Sequence, residues 1–291
     1  QRIHYSLVQN GTFWMHSHYG LQTQSFVAEP FVILSEEQEG WADRTLTVML
    51  RDFSFTPASQ ILDNVIAGER GGGTAMAKRL ADFDWKKPRP LLSQHWDAES
   101  QRFGWKQEEG SLMMAPDVVY DALLANERSL DAPQIIEVEP GETVAIRWIA
   151  ASAFMSFFLD LGELEGELLR TDANPVEPIA GSVFQLALAQ RLTLRIKVPE
   201  KPGVFPLLAL GERSNLRCGV VLRSNSRLRV PALAPQSDQW SGRLDFTQDK
   251  QLRAQTPLAP RSADNTIPVA LTGPAPKYTW GLNHRFYPYR D

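Results

Sequence analysis

Cysteine is nearly absent: 291 residues contain one, Cys218. A single thiol excludes an internal disulfide and any zinc site built on cysteine pairs. It says little about compartment, since exported proteins also manage without disulfides. Histidine is scarce, at five residues, and neither sign of charge dominates: 30 Lys and Arg stand against 34 Asp and Glu, for a net charge of -4. No basic stripe argues for nucleic acid, and no long charge run argues for a disordered tail. No apolar run reaches the roughly 18 residues of a membrane-crossing helix. A charged-then-apolar leader is also missing at the start. The chain opens on Gln1 rather than methionine and runs directly into strand-like sequence, so it reads as mature, trimmed or incomplete. Neither a GxGxxG nor a GxxxxGK[ST] loop is present, so nothing suggests a nucleotide-binding α/β domain.

What is there is β-rich. Twenty prolines and 19 glycines punctuate short apolar runs. "RLTLRIKV" (Arg191–Val198) sets Leu192, Leu194, Ile196 and Val198 against Arg191, Thr193, Arg195 and Lys197, and "TLTVMLRDF" (Thr45–Phe53) alternates in the same way. That period of two is the signature of a half-buried strand. "QIIEVEPGETVAIRWIA" (Gln134–Ala150) reads as strand, turn at Pro140-Gly141, strand; "GVFPLLAL" and "RCGVVLRS" are further strands. Short strands at about 8–12-residue spacing predict a sandwich or barrel. Residues 61–115 read as a loop-rich connector or insertion, with one helix near Thr74–Phe83. Residues 224–276, rich in Pro, Ser, Gln and Asp, have linker composition. Between them, 116–223 form one compact β unit of normal domain size. Residues 1–60 hold about half a sandwich, and 277–291 are too few for a domain.

The richest chemistry lies in "GTFWMHSHYGLQ" (Gly11–Gln22), which holds two of the five histidines as His-x-His. In a strand, residues two apart share a face, so Trp14, His16 and His18 stand on one side and Phe13, Met15, Ser17 and Tyr19 on the other. Two imidazoles about 6.5–7 Å apart at the backbone suit one metal or adjacent metals, and imidazole is a good donor for Cu, Zn, Fe and Ni. A bare His-x-His is as often an ordinary half-exposed pair; the flanks sharpen it. Gly11, Thr12, Trp14, His16, Ser17, His18 and Gln22 match Gly-Thr-x-Trp-x-His-Ser-His-x-x-x-Gln. This stretch resembles the second copper motif of the multicopper oxidases, the laccase-like and bacterial copper-resistance-type enzymes. "AEPFVIL" and "DRTLTVMLRDF" resemble the end of that family's first domain, Val118–Ile149 the start of its second, and Tyr278–Pro288 the first strand of its third.

The resemblance implies an all-β, cupredoxin-like Greek-key β-sandwich: one complete domain (116–223), the C-terminal half of another (1–60) and the first strand of a third (277–291). It implies copper as cofactor, with His16 and His18 as ligands of a trinuclear type 2/type 3 cluster that reduces dioxygen to water. It also implies an unknown reductant, a phenol or a metal ion, and a periplasmic or secreted location. The family's other copper motifs are not in this sequence, and no type 1 copper site can be built, because Cys218 has Arg217 and Gly219 beside it rather than histidines. The expectation is part of an oxidase, inactive alone, with association through incomplete domains open to it. The alternative is a copper-free cupredoxin-fold structural or binding protein of the periplasm. The remaining candidates read blandly. Cys218 is a buried structural thiol, His4 a surface residue, His95 next to Trp96 lacks a second histidine, and His284 is an exposed turn residue. The acidic run Ser35–Gly40 is a solvated loop, and Met113-Met114 is packing.

Overall fold

The computed structural model describes residues 4, 6–34, 40–67, 71–72, 84, 87–111, 117–275 and 278–286. In chain order the front part contains β1 (Gly11–His16), β2 (Ala28–Ile33), β3 (Arg44–Phe53), α1 (Ala58–Ile66), β4 (Gly71–Gly72), β5 (Arg89–Asp97) and β6 (Arg102–Ser111). The middle contains β7 (Val118–Val119), β8 (Ala122–Ala125), β9 (Gln134–Glu137), β10 (Thr143–Ala150), β11 (Phe157–Asp160), β12 (Gly166–Thr171) and β13 (Asn174–Gly181). Then follow β14 (Val183–Leu186), β15 (Arg191–Lys197), β16 (Val204–Gly211), β17 (Arg217–Arg223), β18 (Trp240–Ser241), β19 (Leu271–Ala275), β20 (Thr279–Leu282) and β21 (Arg285–Phe286).

Two sheets make the body. One runs β18-β5-β6-β13-β12-β15-β10-β3-β8 and the other β14-β11-β16-β17-β9. Their facing sides close on one core of Val48, Leu50, Trp148, Phe157, Leu194 and Cys218, each fully buried or nearly so. The alternation read in Arg191–Val198 is realised in β15, where Leu192, Leu194 and Ile196 are fully buried. Strand β10 sends Val144, Ile146 and Trp148 the same way. Burying such side chains against a facing sheet is worth about 1.5–3 kcal/mol each. Strand β3 lies parallel to β10, Arg44 beside Val144 and Leu50 beside Ala150, and antiparallel to β8. The predicted strands flanking Pro140-Gly141 both form, but they part: β9 joins the five-stranded sheet and β10 the nine-stranded one. At Gly219, φ is +156° and a Cβ would sit 2.1 Å from the Leu207 carbonyl oxygen. Only glycine lets β17 approach β16 there.

Parts of two stretches read as irregular form regular structure or pack on the sandwich. The segment expected to be a connector, 61–115, carries the antiparallel hairpin β5–β6, which joins the nine-stranded sheet through the parallel pair Ala180–Arg102 and Gly181–Phe103. Its inward positions are often polar: Ser93 and Gln94 are buried. The helix begins at Ala58, and the one expected near Thr74–Phe83 falls outside the described residues, as do Met113, Met114 and residues 35–39 of the acidic run. The first part of the 224–276 stretch, as far as Gln255, is fastened along the sandwich. Trp240 pairs with Leu91, Ser241 is fully buried and Gln248 is 2% exposed. The Gln248 side chain accepts from the Gln185 amide at 2.8 Å and donates to the Gln185 carbonyl at 2.9 Å. Among the described residues no helix is long and apolar enough to cross a membrane.

Candidate metal centre

The motif lies on the hairpin β1–β2, in register from Gly11 opposite Ile33 to His16 opposite Ala28. The hairpin crosses the outer face of the nine-stranded sheet. Gly11 makes the crossing possible: its φ is +143° and a Cβ would lie 2.6 Å from that of Ala173. Thr12 is buried and its carbonyl accepts from Arg191 Nε at 2.9 Å. Trp14 packs on Met49, Ile149 and Ala151 and directs its indole N–H to the Ala189 carbonyl at 3.4 Å. The first half of the motif therefore anchors the strand, and the second half displays the two imidazoles.

From Trp14 the rings rise in a stack. The Trp14 and His16 centroids are 4.4 Å apart, and those of His16 and His18 are 4.5 Å apart with planes tilted by 32°. The shared face expected from strand geometry is thus kept, although β1 ends at His16. Both imidazoles are exposed. The His16 Nδ1 lies 3.2 Å from the Ser17 carbonyl and 3.4 Å from Thr23 Oγ1. A carbonyl only accepts, so Nδ1 carries the proton and Nε2 keeps the lone pair a metal needs.

Sequence reasoning gave Ser17 and Gln22 no task; the structure gives them one. Ser17 Oγ donates to Gln22 Oε1 at 2.6 Å and accepts from the Tyr19 amide at 3.1 Å. Thr23 Oγ1 donates to the Ser17 carbonyl at 2.6 Å, and the Ser17 amide donates to the Val27 carbonyl at 3.1 Å. This latch closes the loop that carries His18 and fixes it relative to His16. The five-residue interval between Ser17 and Gln22 was the signal for such a closure.

No other predicted ligand joins the pair. His4 is exposed, His95 is exposed on β5, and His284 sits exposed in the β20–β21 turn. Cys218 is fully buried at the centre of the sandwich, and burial pushes its thiol well above the ordinary range. Among the described residues no group of three or more His, Cys, Asp or Glu side chains could hold a metal ion. The pair fits copper in donor type, since neighbouring imidazoles are ligands copper favours; two donors make an open shell.

Beside the loop lies a cavity of about 400 Å³, lined by Leu21, Phe26, Phe53, Ile61, Tyr120 and Tyr278 among others. Asp52 closes its inner end. One carboxylate oxygen accepts from Ala153 N at 2.9 Å. The other accepts from Phe154 N at 2.8 Å and Met155 N at 3.1 Å. The Tyr120 hydroxyl adds a side-chain hydrogen bond. Burial raises the Asp52 pKa, and the four hydrogen bonds oppose that rise. Desolvation, with Asp52 alongside, pushes the Tyr120 phenol far up. Burial and Asp117 push Tyr278 up to about 12. Composition gave no hint of this knot; Asp52, following the apolar run Val48–Leu50 and Arg51, was its only trace.

The sandwich and the motif resemble those of one class of protein, the multicopper oxidases, and comparison with known proteins points the same way. Residues 89–220 match the family model described as Multicopper oxidase. The chain is 24% identical over 293 residues to the multicopper oxidase MmcO of Mycobacterium tuberculosis, an alignment covering 97% of this chain and 52% of that protein. It is 24% identical over 244 residues to copper resistance protein A of Escherichia coli, covering 80% of this chain and 38% of that one. The structure superimposes on Fet3p, a multicopper oxidase that functions in iron import, with a TM-score of 0.62 at 15% identity, over 91% of this chain and 43% of that one. It superimposes on the laccase from Botrytis aclada with a TM-score of 0.55 at 14% identity, over 95% and 46%. The chain therefore resembles a part of a multicopper oxidase, with that family's cupredoxin-like fold, and it spans about half or less of the length of these relatives.

Proposed function

We propose that this chain supplies His16 and His18 as two ligands of a copper cluster in a multicopper oxidase, periplasmic or secreted, that takes single electrons from a phenol or a metal ion and passes them to dioxygen. Bound copper would supply the redox chemistry. The chain's own residues hold the two imidazoles at a fixed spacing, keep the His16 Nδ1 proton on the Ser17 carbonyl, and leave Nε2 for the metal. The supporting observation is the Trp14–His16–His18 stack locked by the Ser17–Gln22 hydrogen bond. Such fixed rings bind with less ordering cost than free ones. The expected units are 1–60 and 116–223; because β3 and the hairpin β5–β6 lie in one sheet with β10, the second unit on this reading takes in both, 224–276 link onward, and 277–291 begin a third unit.

Cupric ion titrated into the chain and followed by calorimetry and electron paramagnetic resonance tests this. Loose binding is expected, lost in His16→Ala and in His18→Ala, without the intense blue band of a thiolate-bound copper. Both histidines are exposed, so neither substitution should move stability by more than about 0.5 kcal/mol. A full, tightly held copper complement would overturn the two-ligand reading. Binding unchanged in both variants would overturn the role of His16 and His18, and no binding by the parent would favour a copper-free structural protein.

A further inference from the structure

The outer face of the nine-stranded sheet is lined with guanidinium groups, and among the described residues one of them, Arg147, has no carboxylate paired with it. Arg147 is 7% exposed. In register it stands beside Thr47 of β3 and Thr193 of β15, and Thr193 in turn stands beside Arg170 of β12. Paired residues present their side chains to the same face, so Thr47, Arg147, Thr193 and Arg170 form one row. The segment carrying Asn10 and Gly11 crosses the row: Arg170 donates to Asn10 Oδ1 at 3.1 Å and to the Ala173 carbonyl at 3.0 Å, and stacks on Trp41 at 4.7 Å. In the flanking rows the arginines have carboxylates. Arg195 pairs with Glu167, and Arg191 with Asp172. Among the described residues the Arg147 guanidinium has no carboxylate, and the charge it feels is that of Arg170, which together with desolvation lowers its pKa.

A buried cation without a partner is costly, and a neighbour of like sign adds to that cost. Strands two places apart put the Arg147 and Arg170 backbones about 9.6 Å apart, a span that two arginine side chains can close around one tetrahedral ion. Arginine's planar fork suits oxyanions, and threonine hydroxyls add neutral donors. We propose that Arg147 and Arg170, with Thr193 between them, form a binding site for a small divalent oxyanion of the phosphate type, separate from the histidine pair.

The test is thermal unfolding and calorimetry of the chain with inorganic phosphate, against chloride at equal ionic strength. Phosphate should raise Tm saturably and beyond chloride, the effect disappearing in Arg147→Met and weakening at least threefold in Thr193→Val. Without phosphate, Arg147→Met should melt higher than the parent, because an uncompensated charge has been removed. The proposal is overturned if phosphate does no more than chloride, or if Arg147→Met keeps the saturable response. Should Arg147→Met fail to fold, Thr193→Val decides, and an unchanged phosphate affinity there overturns it. Copper binding at His16 and His18 is measured separately, so the two readings fail independently.

Discussion

Replacing Asp52 tests how the front of the chain is fixed to the sandwich. Its carboxylate gathers the amides of Ala153, Phe154 and Met155 in the segment between β10 and β11. Alanine leaves four donors, these amides and the Tyr120 hydroxyl, without their acceptor. At about 1–3 kcal/mol for each buried orphan, the ceiling is about 12 kcal/mol. Water entering from the adjoining cavity would satisfy part of this, leaving about 4 kcal/mol, or a fall in Tm of about 10 °C for a chain of this size. Asparagine keeps one oxygen, which can stay with Phe154 and Met155, while its NH₂ faces the Ala153 amide. One donor is lost, at about 2 kcal/mol. The pH dependence has a definite sign. Burial raises the Asp52 pKa, so the folded state binds this proton more tightly than the unfolded chain. The stability linked to it is complete below the ordinary carboxylate range and is lost as pH rises through the folded value. The parent's advantage over Asp52→Asn should therefore widen as pH falls. Urea unfolding of the three proteins at several pH values measures both effects. Equal penalties for Ala and Asn, or an advantage that grows with rising pH, would refute the reasoning.

Gly219→Ala should leave little soluble protein, because its Cβ would meet the Leu207 carbonyl at 2.1 Å in a core with no room to yield; expression and gel filtration report it. Gln248→Leu removes both hydrogen bonds to the Gln185 backbone and should cost about 2 kcal/mol. The loss should be local, so limited proteolysis should cut within 225–255 before the sandwich unfolds.

Legibility in the sequence followed hydrophobicity. Strand β15 was readable because Leu192, Leu194 and Ile196 face a dry core while Arg191, Arg195 and Lys197 do not. Hairpin β5–β6 was not, because it buries Ser93 and Gln94 where a pattern reader expects leucine. The 224–276 stretch was read as linker for the same reason. Its attachment runs through Ser241 and Gln248, which bond distant backbone, and Asp245, which bonds the Gln185 side chain; such contacts leave no periodic trace. Arg147 shows the converse: β10 was recognised as a strand, but nothing in its own sequence told that the outer face would be covered as well. At the candidate metal centre the two histidines and Trp14 were legible as a motif. The Ser17–Gln22 latch was spelled in the same motif, yet its role became readable only with the loop closed.

Strand β3 occupies an interior place in the large sheet, between β10 and β8, although β10 lies far along the chain. The front segment is thus woven into the unit that follows it. A nick in the connection after Phe53 would give two pieces that remain joined by a full ladder of backbone hydrogen bonds, so cleavage there should be silent in gel filtration and visible only under denaturing conditions. The same weave limits recombination. An exchange of the histidine-bearing hairpin between relatives must carry β3 with it, or leave β10 and β8 with bare edges. The unit of inheritance at this end of the chain is therefore larger than the motif, and its boundary lies beyond β3.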